Sequence, residues 1–134
     1  MKKISTYHLV KTGDLNHHRT LYAGRAADWI LEAGWLAAAD AVSDSKVVCA
    51  KIGNMQFFYP IHAGETVRID STVAYAGRSS LICYVSAEAG GTRKADGFIC
   101  FVHVDEWGKA QPHGVQVEAV TEEEKMLQER AKQF

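Results

Sequence analysis

The sequence predicts an α+β chain in which a long central helix is wrapped by an antiparallel β-sheet, and three observations predict it. Residues 21–41 are the only long segment with apolar residues at helical spacing; Ala27, Ile30, Leu31, Gly34, Ala37, Ala38 and Ala41 fall on one stripe. From Lys46 onward the apolar period changes from that of a helix to that of a strand. The connections between these later segments are short and carry glycine, which implies antiparallel neighbours, because a parallel pair needs a long crossover.

Taken in order, residues 5–10 read as a short edge strand, and residues 11–19, with Gly13, Asp14, Asn16, His17 and His18, as a loop. Thr20 is the expected N-cap of the helix. The far side of that helix keeps Trp29, Ala33, Leu36 and Ala39, so it is apolar nearly all round and has to be enclosed. Gly24, Ala27 and Gly34 are small enough to let another element approach its backbone. Ser43, Asp44 and Ser45 form a turn, and strands are expected at 47–58, 65–76, 79–89 and 93–104. In the second of these, Val67, Ile69, Val73 and Tyr75 alternate with Thr66, Arg68, Asp70 and Thr72, as in a sheet with one dry face; that face would cover the helix. The tail, over about 121–133, reads as a surface helix with Thr121 as N-cap and Glu124 closing a capping box.

A chain of 134 residues fits one domain, 1–134, with a core of its own. Fifteen basic and 16 acidic residues are interspersed, giving a net charge of −1, which points to neither nucleic acid nor a membrane surface as partner. Cys49, Cys83 and Cys100 lie far apart inside apolar runs and read as reduced core thiols of a cytoplasmic protein, not as a zinc site. The first ten residues lack the apolar core of a signal peptide, and no segment is long and apolar enough to span a bilayer.

Chemistry is expected where polar residues meet the dry part of the fold. The first such place is the loop around Asn16 leading to the helix N-terminus near Gly24, where free N–H groups could hold an oxyanion. Asn16 equally suits an Asx turn. The second is the face carrying Asp28 and Glu32, one turn apart, where burial would raise a carboxylate toward the range of a general base. The commoner fate of such acids is to pair with cations at a solvated edge. His17 and His18 are adjacent and lack the spacing of a two-ligand metal site, so no metal is expected. Arg78, Ser79 and Ser80 follow Gly77 and are ordinarily turn polarity.

The segments DLNHHRTLYAG, WILEAGWLAAA, MQFFYPIHAGETV, VAYAGRSSL and GFICFVHVDEWGK together resemble the hotdog-fold acyl-CoA thioesterases. The resemblance implies a hotdog fold, CoA only as part of the substrate and no other cofactor. It also implies homodimers or higher homo-oligomers, tetramers or hexamers, with active sites at subunit interfaces. Asn16 would position the thioester or the attacking water, a backbone donor near Gly24 would bind the thioester oxygen, and a helix carboxylate would act as base. The family's acid falls where this chain has Leu31, which leaves Glu32, or Asp28, to take the role. Arg19 stands where a glycine is common. His17 and His18 would lie at the substrate, and Arg78, Ser79 and Ser80, or else Arg93 and Lys94, would meet the phosphates of CoA. A chain with this acid missing could instead be a non-catalytic acyl-thioester binder. A dehydratase-like relative would need His17, His18 or His62 in the tunnel.

Overall fold

The computed structural model describes residues 1–134. Strand β1 (Ile4–Leu9) leads through a short 3-10 turn, Thr12–Asp14, to helix α1 (Ala23–Val42). Strands β2 (Val47–Phe57), β3 (Thr66–Ala76), β4 (Ser80–Ala89) and β5 (Thr92–His103) follow, and helix α2 (Glu122–Lys132) closes the chain. All five strands form one antiparallel sheet in the order β1-β3-β4-β5-β2.

Each expected strand is present with ends shifted by one residue at most. The run from β3 to β5 is the expected meander, but β2 is not part of it: β2 lies on the far edge beside β5. The connection from β2 to β3 crosses the end of the sheet instead of turning back. Pro60 cannot donate to a ladder, and Ile61 and His62 pair with the entry to α1, through Leu21 N–H donating to Ile61 O at 2.7 Å and a bridge between Thr20 and His62.

Helix α1 packs on the sheet's inner face through Ala26, Ile30, Ala33, Gly34, Ala37 and Ala38. Ala33 therefore belongs to the buried stripe, and Ala27, Leu31 and Ala41 flank it half-buried. The close approach is set at Gly34, where a Cβ would sit 3.0 Å from Ile99 Cδ1 and 3.2 Å from Phe101. Ser71 Oγ donates to Ala33 O at 2.7 Å and Cys83 Sγ to Gly34 O at 3.5 Å, so two inner-face side chains pin the middle of the helix. Cys83 is fully buried, and burial pushes its thiol well above the ordinary range; Cys49, by contrast, is exposed and Cys100 half-buried, so only one cysteine is the expected core thiol. The reason is position: Cys49 sits on an edge strand whose free side nothing covers.

The opposite side of α1 is open. Asp28 and Glu32 are exposed, so one copy of the sheet encloses only half of a helix that is apolar on most sides. Helix α2 packs on the outer face, burying Ala131 among Tyr84, Phe98 and Leu127. Its Thr121 cap and Glu124 box are as the sequence implies.

Candidate active site

The entry to α1 is a tight loop. Asn16 Oδ1 accepts from His18 N at 2.8 Å and Thr20 N at 3.2 Å, while Asn16 Nδ2 donates to Thr20 Oγ1 at 3.0 Å. Asn16 N–H donates to Thr20 O and Arg19 N–H to Asn16 O, and Leu15 bridges Leu21. Thr20 is thus committed to this turn and does not cap the helix; the cap is Tyr22, whose side chain supplies no acceptor. Arg19 adopts a left-handed conformation, with φ of 64°. That conformation suits glycine far better than arginine. Arg19→Gly is expected to raise stability by about 1 kcal/mol, read as a higher denaturant midpoint with an unchanged slope.

Because Tyr22 caps with its carbonyl alone, Arg25 N and Ala26 N bond to it while the N–H groups of Ala23 and Gly24 stay free. A Cβ on Gly24 would come within 2.5 Å of the Tyr22 ring, so the residue has to be small for this ring to lie over the helix start. Asp14 fastens the arrangement. It is buried, accepts from Lys11 N at 2.9 Å and from Arg25 Nε at 3.2 Å, and its carbonyl accepts from Tyr22 N. Asp14 carries no motif of its own, and only its place ahead of a helix start could have pointed to it.

Two clefts result. One, of about 230 Å³, joins Asn16, Leu21, Ala23 and Ala26 with the ledge at residues 57–61 and Lys94. The other, of about 490 Å³, runs along the open face of α1 past Arg25, Asp28, Leu31, Glu32 and Trp35 to Cys49 and Phe101 on the sheet. Trp35 Nε1 donates to Val47 O at 3.0 Å and holds this cleft against β2. Trp29 is stacked on His8 with ring centroids 4.3 Å apart.

The structure therefore brings Asp28 and Glu32 together with Leu31, but not with Asn16, which lies in the first cleft. Both acids are exposed in the single chain, so the burial expected of them is absent there. His17 and His18 are exposed at the loop tip with ring centroids 3.9 Å apart. No three His, Cys, Asp or Glu side chains converge as a metal site would need. Arg78, Ser79 and Ser80 lie at the other end of the molecule, where Ser79 O accepts from His103 N at 2.8 Å. His103 Nε2 also meets Asp44 Oδ2 at 3.0 Å, and that hydrogen bond holds the Asp44 carboxyl below its ordinary range. Cys49, exposed in the cleft along α1, carries no motif of its own, since a lone cysteine in an apolar run reads as core.

A long helix cradled by a five-stranded antiparallel sheet, with a cleft at the helix start and another along its open face, is a hotdog arrangement. The profile of the thioesterase superfamily matches residues 18–95. An uncharacterised acyl-CoA thioester hydrolase of Bacillus subtilis, YkhA, is 32% identical over 126 residues, covering 90% of this chain and 72% of that protein. The chain belongs to the thioesterase superfamily. Among solved structures, a hexameric acyl-CoA thioesterase without ligand is 31% identical with a TM-score of 0.91, covering 98% of this chain and 86% of that one. An acyl-CoA hydrolase of Staphylococcus aureus, solved with butyryl coenzyme A, coenzyme A and coenzyme A disulfide, is 27% identical with a TM-score of 0.88, covering 98% and 80%. Alanine variants of an asparagine, an aspartate and a threonine of that hydrolase have also been solved.

Proposed function

We infer that the chain is an acyl-CoA thioesterase working as a homodimer whose active sites form where two copies meet. One observation carries this reading: the two clefts lie toward opposite ends of an uncovered edge strand. Strand β2 is 11 residues long, only its first residue is buried, and its outer edge has no partner. Val48, Ile52, Phe57, Phe58 and Tyr59 are large apolar residues exposed on or just past it. A long apolar edge of this kind is a template for pairing unless something covers it. If a second β2 pairs antiparallel about a two-fold axis near Ile52, residue 47 of one copy lies beside residue 57 of the other. The Asn16 cleft, walled by residues 57–61, then meets the partner's Leu31 and Cys49 end. The turn with Arg78, Ser79 and Ser80, which is remote from Asn16 in its own chain, arrives at the partner's Asn16 cleft too.

In this composite site the thioester oxygen is held by the free N–H groups of Ala23 and Gly24, at the positive end of α1. Asn16 uses one amide hydrogen within its turn and has the second left to orient substrate or water. Water attacks the carbonyl carbon, and Glu32, or Asp28 a turn earlier, takes its proton before the CoA thiolate departs. Pairing of the two copies covers the open face of α1 and shields both acids from bulk water. Arg78, with Ser79 and Ser80, meets CoA phosphates; His17 and His18 flank the entrance. Reduced cysteines and a CoA substrate suit the cytoplasm.

The test is release of free thiol from a series of acyl-CoA thioesters of increasing chain length. Turnover with at least one of them is expected. Binding of CoA thioesters without any thiol release would leave a non-catalytic binder, the outcome that Leu31 in place of the acid would then explain.

A further inference from the structure

Of the three tryptophans, two are fixed inside the protomer: Trp29 against His8 and Trp35 by its bond to Val47. Trp107 is not, and its side chain is 78% exposed. The backbone of the turn that carries it is nevertheless tied down. Asp105 Oδ1 accepts from Trp107 N and Lys109 N, both at 2.9 Å; Asp105 N–H donates to Lys109 O, and Gly108 turns the chain with a φ of 81°. An indole of this size can remove about 150–250 Å² from water, so a locked turn that holds it in solvent leaves a large apolar surface uncovered.

The turn projects just past the start of β2, because Val104 N–H donates to Lys46 O at 2.9 Å and Val104 bridges Ala110. Pairing of β2 across a two-fold axis brings the end of the partner's β2 to this place. There the exposed aromatics Phe57, Phe58 and Tyr59 form the ledge of the Asn16 cleft, with Lys94 Nζ 5.8 Å from the Tyr59 ring centre. Strand β5 stands two strand spacings, about 10 Å, from the partner's β2, within reach of a turn that extends beyond the strand ends.

We propose that Trp107 of each copy packs on the 57–59 ledge of the other and forms the missing wall of its Asn16 cleft. The occupant of the exposed indole is thus a second copy of this chain, and the residue tunes substrate fit in a cleft whose Asn16 belongs to the other copy. This placement rests on the pairing of β2 proposed above. Aromatic surface meets aromatic surface, and Lys94 adds a cation to the stack.

The experiment uses two differently tagged chains in a Cys49→Ser background, one carrying Trp107→Cys and the other Tyr59→Cys. They are mixed, allowed to exchange, and treated with a short bis-maleimide. Cross-linking confined to the mixture, with little in either chain alone, is the expected result, since like positions lie at opposite ends of the dimer. Sedimentation separates the failures. A dimer that gives no cross-link overturns the Trp107 contact, whereas a monomer overturns the pairing beneath it. In the otherwise natural chain, Trp107→Ala is expected to raise KM for the best acyl-CoA several-fold with kcat changed less, and Trp107→Phe to restore most of it. Unchanged KM in Trp107→Ala removes the residue from the cleft.

Discussion

A Val48→Lys/Ile52→Lys double variant should sediment as a folded monomer and lose at least about 100-fold in thioester turnover. Both side chains are about half exposed, at 48% and 49%, so the single chain tolerates lysine at either place. In the proposed dimer Ile52 lies beside its own copy at the two-fold axis and Val48 opposite residue 56 of the other copy, so four ammonium groups along one seam oppose pairing by repulsion and by loss of apolar contact. The loss in rate is expected because Asn16 and Ala23 line one cleft and Glu32 another, and the proposed pairing is what would join them. Circular dichroism and the unfolding transition check that the fold survives; full activity in a monomer would place the whole reaction within one chain.

The second large effect is expected at the base. Glu32→Gln should reduce kcat by about 100-fold or more with KM little changed, because a well-placed general base contributes in that range and the amide preserves shape. Asp28→Asn is expected to do less. Glu32 lies a turn closer to the β2 end of the cleft, where Trp35 bonds Val47 and the partner's Asn16 would arrive. Leu31→Asp supplies the acid at the position where the family resemblance puts one, and Leu31 is only half-buried in the same cleft, so turnover should rise and the fold hold. If Glu32→Gln turns over as fast as the natural chain, Glu32 is not the base, and the same pair of measurements on Asp28 decides whether the helix supplies one at all.

Much of this architecture is legible in the chain because local and global preferences agree. The change of apolar period after Lys46 marks where helix gives way to sheet, and the Thr121 and Glu124 pair fixes the start of α2 to the residue. The sheet order is less legible. A short, glycine-marked connection between β2 and β3 implies neighbours, but the ladder at Thr20 and His62 diverts the chain across the sheet, and that pairing lies too far apart in sequence to be seen. Thr20 looks like a cap for the same reason Asn16 looks catalytic: both are small polar residues before a helix, and the structure spends Thr20 on the turn that Asn16 organises. Arg19 shows the reverse, since a glycine expected there is explained by a positive φ that the arginine adopts regardless. A site assembled from two copies, as proposed, leaves little trace in one chain, where Asp28 and Glu32 read as candidates by motif yet stand in solvent.

If one copy lends the helix start and the other lends the acid, as proposed, the two functions can be inherited separately. A chain crippled at Asn16 and a chain crippled at Glu32, each inert by itself, would form a mixed pair with one centre doubly damaged and the other wholly intact. Blending two dead preparations should then bring back part of the lost reaction, a genetic complementation written into the geometry of a single edge strand.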